Sequence, residues 1–354
     1  MLRGAGVGAR CCSQRSARRL SSQTLVTLRA LASPLRVLIV GDGNFSYAKA
    51  LGRAFAASPD TTIVATSLDT ADELSLMYPT AAKNILALEP RHQVRHGIDA
   101  TQLGRYKWSH KFDRIVFNFP HSYAADGGRH NKISEHRRLL TDFFHSCHNV
   151  LAPSGQVWVA LCGGQGGTPT ESVRRKTGDT WQVQQCAAKA RLLLCDVQPF
   201  PYEKLQGLGY ETTGYRLDAR SFHTTGSLVH VFGRDSGTRS KYPLRWTRDI
   251  SFWVYERDLS TDAQGNALRT VLKATMGPDI DVVAVTCVDQ YVCGTTKRMS
   301  LCYRVGLETY TRAFGDADIA VQIEGVGAAL QVANIGEYRA PKAPEVGTES
   351  SRKR

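Results

Sequence analysis

Arg36-Val37-Leu38-Ile39-Val40-Gly41-Asp42-Gly43-Asn44-Phe45-Ser46 is the stretch that decides the fold. Its apolar run reads as a buried strand. The Gly41-Asp42-Gly43 turn that follows leads into a helical pattern over residues 45–57. Neither glycine has a side chain to keep the backbone away from a ligand.

Outward from this unit, short apolar strands alternate with amphipathic helices. Strands are predicted over 62–68, 93–97, 112–118, 156–162, 191–200 and 227–232. Helices are predicted over 73–88, broken at Pro79, over 136–151 and over 181–190. That alternation predicts an α/β fold, a doubly wound and mostly parallel sheet covered on both faces. The polar, glycine-containing stretch 233–240 marks a domain boundary. Beyond it a β-α-β-β-α order over residues 249–332, one strand short of complete, predicts a ferredoxin-like α+β domain. The domains expected are a Rossmann-like one over 34–235 and a ferredoxin-like one over 241–340. Segments 1–33 and 341–354 are expected to stay outside any core.

The chain has 354 residues and a net charge of +13. Seven arginines precede residue 37 and no acid precedes Asp42, so residues 1–33 have the composition of a mitochondrial presequence. The alternative is a basic tail that binds nucleic acid. The moderately basic body suits phosphate neutralisation on a nucleic acid, or simply a basic enzyme. No apolar run is long enough to span a membrane. The nine cysteines form no C-x-x-C pair, and reduced core thiols in a reducing compartment are expected. His145-x-Cys147-His148 lies in a helical stretch and is read as structural, so no metal is expected. The expected location is the cytoplasm, with the mitochondrion suggested by the N-terminus and the nucleolus as the alternative.

In a doubly wound sheet, ligands lie beyond the carboxyl ends of the strands. Ser46 stands where a dinucleotide fingerprint has its third glycine. The loop therefore suits S-adenosyl-L-methionine, which has no pyrophosphate, better than NAD. Asp69 ends the second strand, where a carboxylate accepts from both ribose hydroxyls; the alternative is a helix cap. Asp99, after the third strand, is placed for an adenine amino group or is a plain loop aspartate. The fourth strand ends in Asn118-Phe119-Pro120-His121. Asn118 and the Pro120 backbone offer polar groups to a base edge, Phe119 a stacking ring, and His121 a proton acceptor. The alternative is a rigid strand-to-loop turn with His121 merely exposed.

Taken in order, Gly41–Ser46, Ala65-Thr66-Ser67-Leu68-Asp69, Tyr78-Pro79 with Asn84, His96-Gly97-x-Asp99-Ala100-Thr101 and Phe112–His121 resemble the fungal ribosomal-RNA uridine-N3 methyltransferases. The resemblance covers about residues 35–232. It implies a cofactor site at Gly41, Asp42, Gly43, Asn44, Phe45, Ser46, Asp69 and Asp99, and a base site at Asn118, Pro120 and His121. Residues 247–253 and 300–305 resemble the anticodon-binding module of phenylalanyl-tRNA synthetase. The two together resemble the ferredoxin-fold anticodon-binding domain-containing family of animals and protists. This implies an RNA partner, ribosomal or transfer RNA, with Arg248, Lys297 and Arg304 as phosphate contacts, or an equally good set of surface salt bridges. The implied activity is methylation of uridine N3 on an unpaired or flipped base. The rival reading is a catalytically inactive RNA-binding accessory protein.

Overall fold

The computed structural model describes residues 35–122, 129–214, 222, 224–256 and 259–340. The segments 1–33 and 341–354, and any presequence in the first of them, lie outside the described residues. The chain divides into two compact units after Tyr242.

The first unit is one seven-stranded sheet. Its strands are β1 Arg36–Val40, β2 Thr62–Thr66, β3 Gln93–Arg95, β4 Phe112–Asn118, β5 Leu151–Leu161, β6 Leu192–Pro199 and β7 Leu228–Arg234. Their order is β3-β2-β1-β4-β5-β7-β6. β1 pairs in parallel with both β2 and β4, and β5 in parallel with β4, while β7 is antiparallel to β5 and β6. The strand order reverses between β1 and β4, which opens a crevice at their carboxyl ends.

Strand periodicity explains the two cores. Val37 and Ile39 face one way, and Leu38 and Val40 face the other. The first pair joins Trp158 and residues of α1 (Ser46–Ala54), α2 (Ala71–Met77) and α3 (Ala81–Leu86). The second pair joins Phe143, Phe144 and Cys147 of α4 (Arg129–Cys147) and Val183 and Cys186 of α5 (Val183–Lys189). Leu38, Ile39 and Leu51 are fully buried, and each contributes about 1.5–3 kcal/mol by leaving water.

The break expected at Pro79 separates α2 from α3, because proline removes a donor and crowds the preceding turn. Other expectations shift. A short helix α6 (Tyr202–Gly207) was not foreseen. The first unit extends past residue 235. The Ser240 hydroxyl donates to the Leu194 carbonyl, and the Tyr242 hydroxyl donates to Asp196 at 3.2 Å and accepts from the Val197 amide at 3.2 Å. The cysteines are less uniformly internal than their apolar runs suggest. Cys147 and Cys186 are buried, Cys195 is exposed, and no disulfide joins the described ones. His145 and His148 point to solvent on the helix end from which Cys147 enters the core.

The second unit is β8 (Leu244–Val254), α7 (Thr261–Thr275), β9 (Asp281–Val292), β10 (Met299–Thr309), α8 (Asp316–Val332) and β11 (Gly336–Tyr338). The order β11-β8-β10-β9 is antiparallel throughout. That is the split βαβ plan, with β11 as the strand the sequence pattern lacked. One sheet face carries Ile250, Phe252, Leu301, Tyr303 and Val305 inward, against Leu268, Ile319 and Ile323. Gly327 of α8 lets that helix close on β11, since a Cβ there would sit 2.5 Å from the Tyr338 ring. No helix among the described residues is long and apolar enough to cross a membrane.

Candidate active site

The loop after β1 lies at the crevice. Gly41 takes φ +66°, and a Cβ on it would come within 2.9 Å of the Phe117 ring on β4. A glycine is therefore required twice over, for the left-handed turn and for the approach of β1 to β4. Gly41 is exposed and Gly43 half-buried, so their backbone is what the loop shows to a ligand.

The other loop residues hold that backbone in shape. The Asp42 amide donates to the Thr66 carbonyl at 3.0 Å, and its carboxylate accepts from the Ala48 amide in the first turn of α1 at 2.7 Å. Burial pushes the Asp42 carboxyl up to about 7, partly opposed by the Ala48 and Tyr47 amides. Asn44 accepts from the Ser46 amide at 3.1 Å and donates to the Thr80 hydroxyl at 3.3 Å. Its carbonyl accepts from the Asn84 amide group at 2.8 Å, which explains the Asn84 of the Tyr78–Asn84 motif. Phe45 is fully buried with φ 60°, its ring edge-on to His96. The Ser46 hydroxyl exchanges hydrogen bonds with the Glu211 backbone at 3.0 and 3.1 Å. The side chains of Asn44, Phe45 and Ser46 turn inward and shape the turn.

Asp69 is buried beyond the end of β2. It does not cap α2. Thr70 does, in a reciprocal pair with Glu73: the Glu73 amide donates to the Thr70 hydroxyl at 3.3 Å and the Thr70 amide to the Glu73 carboxylate at 3.0 Å. The Asp69 carbonyl accepts from the Gly97 amide at 3.2 Å and the Ser67 hydroxyl at 2.8 Å. His96 Nδ1, 2.9 Å from that hydroxyl, then donates to it. The His96-Gly97 motif thus fixes the Asp69 backbone.

Asp99 has partners of its own. One of its carboxylate oxygens accepts from the Thr101 amide at 2.8 Å and the Thr101 hydroxyl at 2.7 Å, and the other from Gln102 at 2.8 Å. It caps the short 3-10 helix Ala100–Arg105.

At the end of β4, Asn118 pairs with Ala160 of β5. Its Nδ2 is buried and makes no hydrogen bond of ordinary geometry among the described residues. Tyr47 lies beside it; burial pushes the Tyr47 hydroxyl up to about 12, opposed by the Asn118 side chain. Phe119 takes φ 50°, an uncommon conformation for an aromatic residue. Its amide still donates to the Ala160 carbonyl at 2.9 Å, so the chain turns out of the sheet in one residue. The Phe119 ring packs on Phe200 and Phe222, at 4.9 and 4.6 Å between centroids, within the aromatic cluster rather than as an open stacking platform. Pro120 is buried and His121 exposed. The His121 imidazole is held below its ordinary range by burial first, then by His136 and Lys132. Its ring meets the His136 ring edge-on at 5.4 Å. Sequence reasoning gave no role to Tyr47, His136 or Trp181, since their closeness to the site comes only from α1, α4 and the β5 loop folding over it.

Of the RNA contacts expected in the second unit, two are engaged elsewhere. Arg304 forks onto Asp249 with two bonds of 2.8 Å, and Arg248 donates to Asp316 at 3.0 Å. Lys297 is exposed in the turn between β9 and β10.

The family described as BMT5-like, rRNA (uridine-N3-)-methyltransferase BTM5-like, matches residues 38–214, half of the chain. The chain belongs to this family. The match runs from β1 through the β1 loop, Asp69 and the end of β4. Human ferredoxin-fold anticodon-binding domain-containing protein 1 is 43% identical over 205 residues, covering 57% of this chain and 31% of that protein. The chain thus spans about a third of that relative's length. The Saccharomyces cerevisiae protein named 25S rRNA (uridine(2634)-N(3))-methyltransferase is 21% identical over 257 residues, 60% of this chain and 76% of that one. Among solved structures, TrmN from Thermus thermophilus aligns at 17% identity over 62% of this chain and 52% of its own, with a TM-score of 0.35.

Family membership and the reversed strand order make the first unit a class I methyltransferase fold, with S-adenosylmethionine as its cofactor. The residues present fit that group. The Gly41–Gly43 backbone is open, Asp69 stands beyond β2 without serving as a helix cap, and Asn118 holds a buried donor beside Tyr47 where β1 and β4 part.

Proposed function

We propose that this chain is an RNA methyltransferase that methylates N3 of an unpaired or flipped uridine, with ribosomal RNA as its substrate. The observation that carries this reading is the end of β4. Asn118 Nδ2 is a buried donor beside the Tyr47 hydroxyl, without a hydrogen bond of ordinary geometry, and His121 stands exposed three residues on. A uracil edge presents two carbonyl acceptors flanking one N–H. Asn118 would donate to one carbonyl, with the turn fixed by buried Pro120 beside it, and His121 would accept the N3 proton. Its lowered proton affinity keeps the imidazole in the neutral form a base needs at neutral pH. Such an edge is reached only when the base is out of its pair. The open backbone at Gly41 and Gly43 and the Asp69 carboxylate would hold the nucleoside part of S-adenosylmethionine. When bound, that cofactor supplies a methyl group activated for in-line displacement. What the chain contributes is alignment, the larger part of catalysis when two reactants are brought together.

Ribosomal RNA is favoured by the family and by the name of the yeast relative. Such a target would put the work in the nucleolus or cytoplasm. The ferredoxin-like unit would add a second hold on RNA, as its resemblance to an anticodon-binding module implies, with Lys297 an exposed cation in the turn between β9 and β10.

The test is calorimetric binding of S-adenosylmethionine to wild type and Asp69→Ala. It is joined to nucleoside mass spectrometry of large-subunit ribosomal RNA, taken from cells lacking the protein and incubated with wild type or His121→Ala. We expect binding by wild type only, and 3-methyluridine formed by wild type and lost with His121→Ala. Absence of binding by wild type would leave the accessory-protein reading standing. A methyl group at another position would refute the base assignment.

A further inference from the structure

His136 is a buried histidine that the mechanism above does not use. It sits on α4, which contributes Ile133, Leu140, Phe143, Phe144 and Cys147 to the core, and it is 7% exposed. Its Nδ1 lies 2.6 Å from the Lys132 carbonyl oxygen. That oxygen can only accept, so Nδ1 carries the hydrogen and Nε2 the lone pair. The Ser122 amide donates to Nε2 at 3.5 Å. The imidazole is therefore in one defined tautomer, with both nitrogens engaged.

The ring has two further neighbours. It stacks on Trp181 at 4.2 Å between centroids with 19° between planes. The edge contact with His121 is at 5.4 Å and 63°. Trp181 is itself fixed, since its amide donates to the Gln165 carbonyl at 2.6 Å. His136 thus joins three elements: helix α4, the loop after β5, and the turn after β4 that carries His121. Phe119 leaves the sheet at a positive φ, and the turn past it lies beyond the end of β4. The bond from Ser122 and the edge contact on His121 tie that turn to α4.

We propose that His136 is a positioning residue for methyl transfer: through the Ser122 amide and its ring contact with His121 it sets where the His121 imidazole stands against the uracil edge. The proposal rests on the reading of His121 as the proton acceptor. His136 touches neither substrate nor cofactor in this role. Its effect should be confined to turnover, because a small misplacement of a reacting group can cost as much as about a hundredfold.

The two halves of the imidazole can be separated by substitution. Asn places a donor where Nδ1 is and keeps the Lys132 bond. Gln places an acceptor where Nε2 is and keeps the Ser122 bond. The experiment measures kcat, and KM for RNA and for S-adenosylmethionine, in the full chain on ribosomal RNA from cells lacking the protein. The variants are His136→Asn, His136→Gln, His121→Ala and the double variant His121→Ala with His136→Asn.

We expect His136→Asn to lower kcat about tenfold or more with KM for S-adenosylmethionine unchanged. His136→Gln should recover most of the loss. In the His121→Ala background the Asn change should add no further loss, since a residue acting through another shows no independent effect. A slow His121→Ala enzyme beside a His136→Asn enzyme at wild-type kcat would overturn this proposal alone. Equal losses in the Asn and Gln variants, or losses that multiply in the double variant, would also overturn it. A His121→Ala enzyme at full rate would instead remove the base reading on which it rests. Should His136→Asn fail to fold, His136→Gln decides: at wild-type kcat and KM it supports the Ser122 contact, and a tenfold loss while folded refutes it.

Discussion

Replacing Asp42 by Asn should make the first unit more stable at neutral pH, and by an amount that grows across a defined window. The carboxyl is buried under the β1 turn, and burial lifts it from an ordinary 3.8 to about 7. Two backbone amides at the start of α1 oppose that lift without cancelling it. The difference of about three pH units corresponds to about 4 kcal/mol, at about 1.4 kcal/mol for each tenfold step. The direction follows from which state holds the proton. Below pH 3.8 both the folded and unfolded chains carry it, and stability is at its full value. Between about pH 4 and 7 the unfolded chain gives its proton up while the folded one keeps it, so stability falls with rising pH. Above about pH 7 the loss is complete. Asn has the shape of the protonated acid, keeps one oxygen for the Ala48 amide, and does not titrate. Wild type and Asp42→Asn should therefore match near pH 4 and diverge toward pH 8, the variant being the more stable by up to about 4 kcal/mol. Amide hydrogen exchange of β1 and β4 core residues, followed from pH 5 to 8, isolates the unfolding of this unit from that of the second. Parallel stability curves, or an Asn variant less stable throughout, would refute the reasoning. They would mean that the Tyr47 and Ala48 amides and the helix N-terminus keep Asp42 ionised in the fold.

Gly41→Ala should destabilise the first unit by about 1–3 kcal/mol, the usual scale for a side chain forced to positive φ, with the 2.9 Å approach to Phe117 adding to it; urea unfolding measures this, and a neutral change would show that the turn relaxes. The same variant should weaken S-adenosylmethionine binding in calorimetry, because the displaced backbone is the part of the loop left open. Arg304→Ala should leave RNA affinity and its salt dependence as in wild type, since that guanidinium is committed to Asp249. A loss as large as that of Lys297→Ala in the same titration would refute this assignment.

Most of the fold was legible because its signals are local. The apolar runs at 36–40, 62–66 and 112–118 became β1, β2 and β4, since a strand buried on both faces leaves no room for polar alternation. What went unread was set by partners far along the chain. The β8 strand begins at Leu244, earlier than its apolar run suggests, because Arg245 and Thr247 face outward opposite Glu308 and Gly306 of β10. The last strand, Gly336–Tyr338, is three residues long and exists by pairing with β8. Neither has a sequence signal of its own.

The site divides along the same line. Gly41, Asp69 and Asn118 were singled out because each ends a strand, and strand ends are where this fold receives ligands. Asp99 met the same rule and also has local partners. Its carboxylate is used within three residues by Thr101 and Gln102, a competition that the rule does not weigh. Phe119 was read as a stacking ring because it lies between Asn118 and Pro120. Its positive φ sends the ring into the Phe200 cluster and leaves His121 as the exposed group. The strained residue and the exposed one are then a single arrangement. A turn made at Phe119 without strain would keep the chain in the sheet, and His121 would follow Asn118 as one more strand residue. The strain persists only if the surroundings over-determine it, and the Ala160 carbonyl, the Phe200 ring and the buried Pro120 are what do so. Relieving it should therefore cost turnover before it costs stability, because the core beneath is held by β4 and β5 while only the path to His121 depends on the turn.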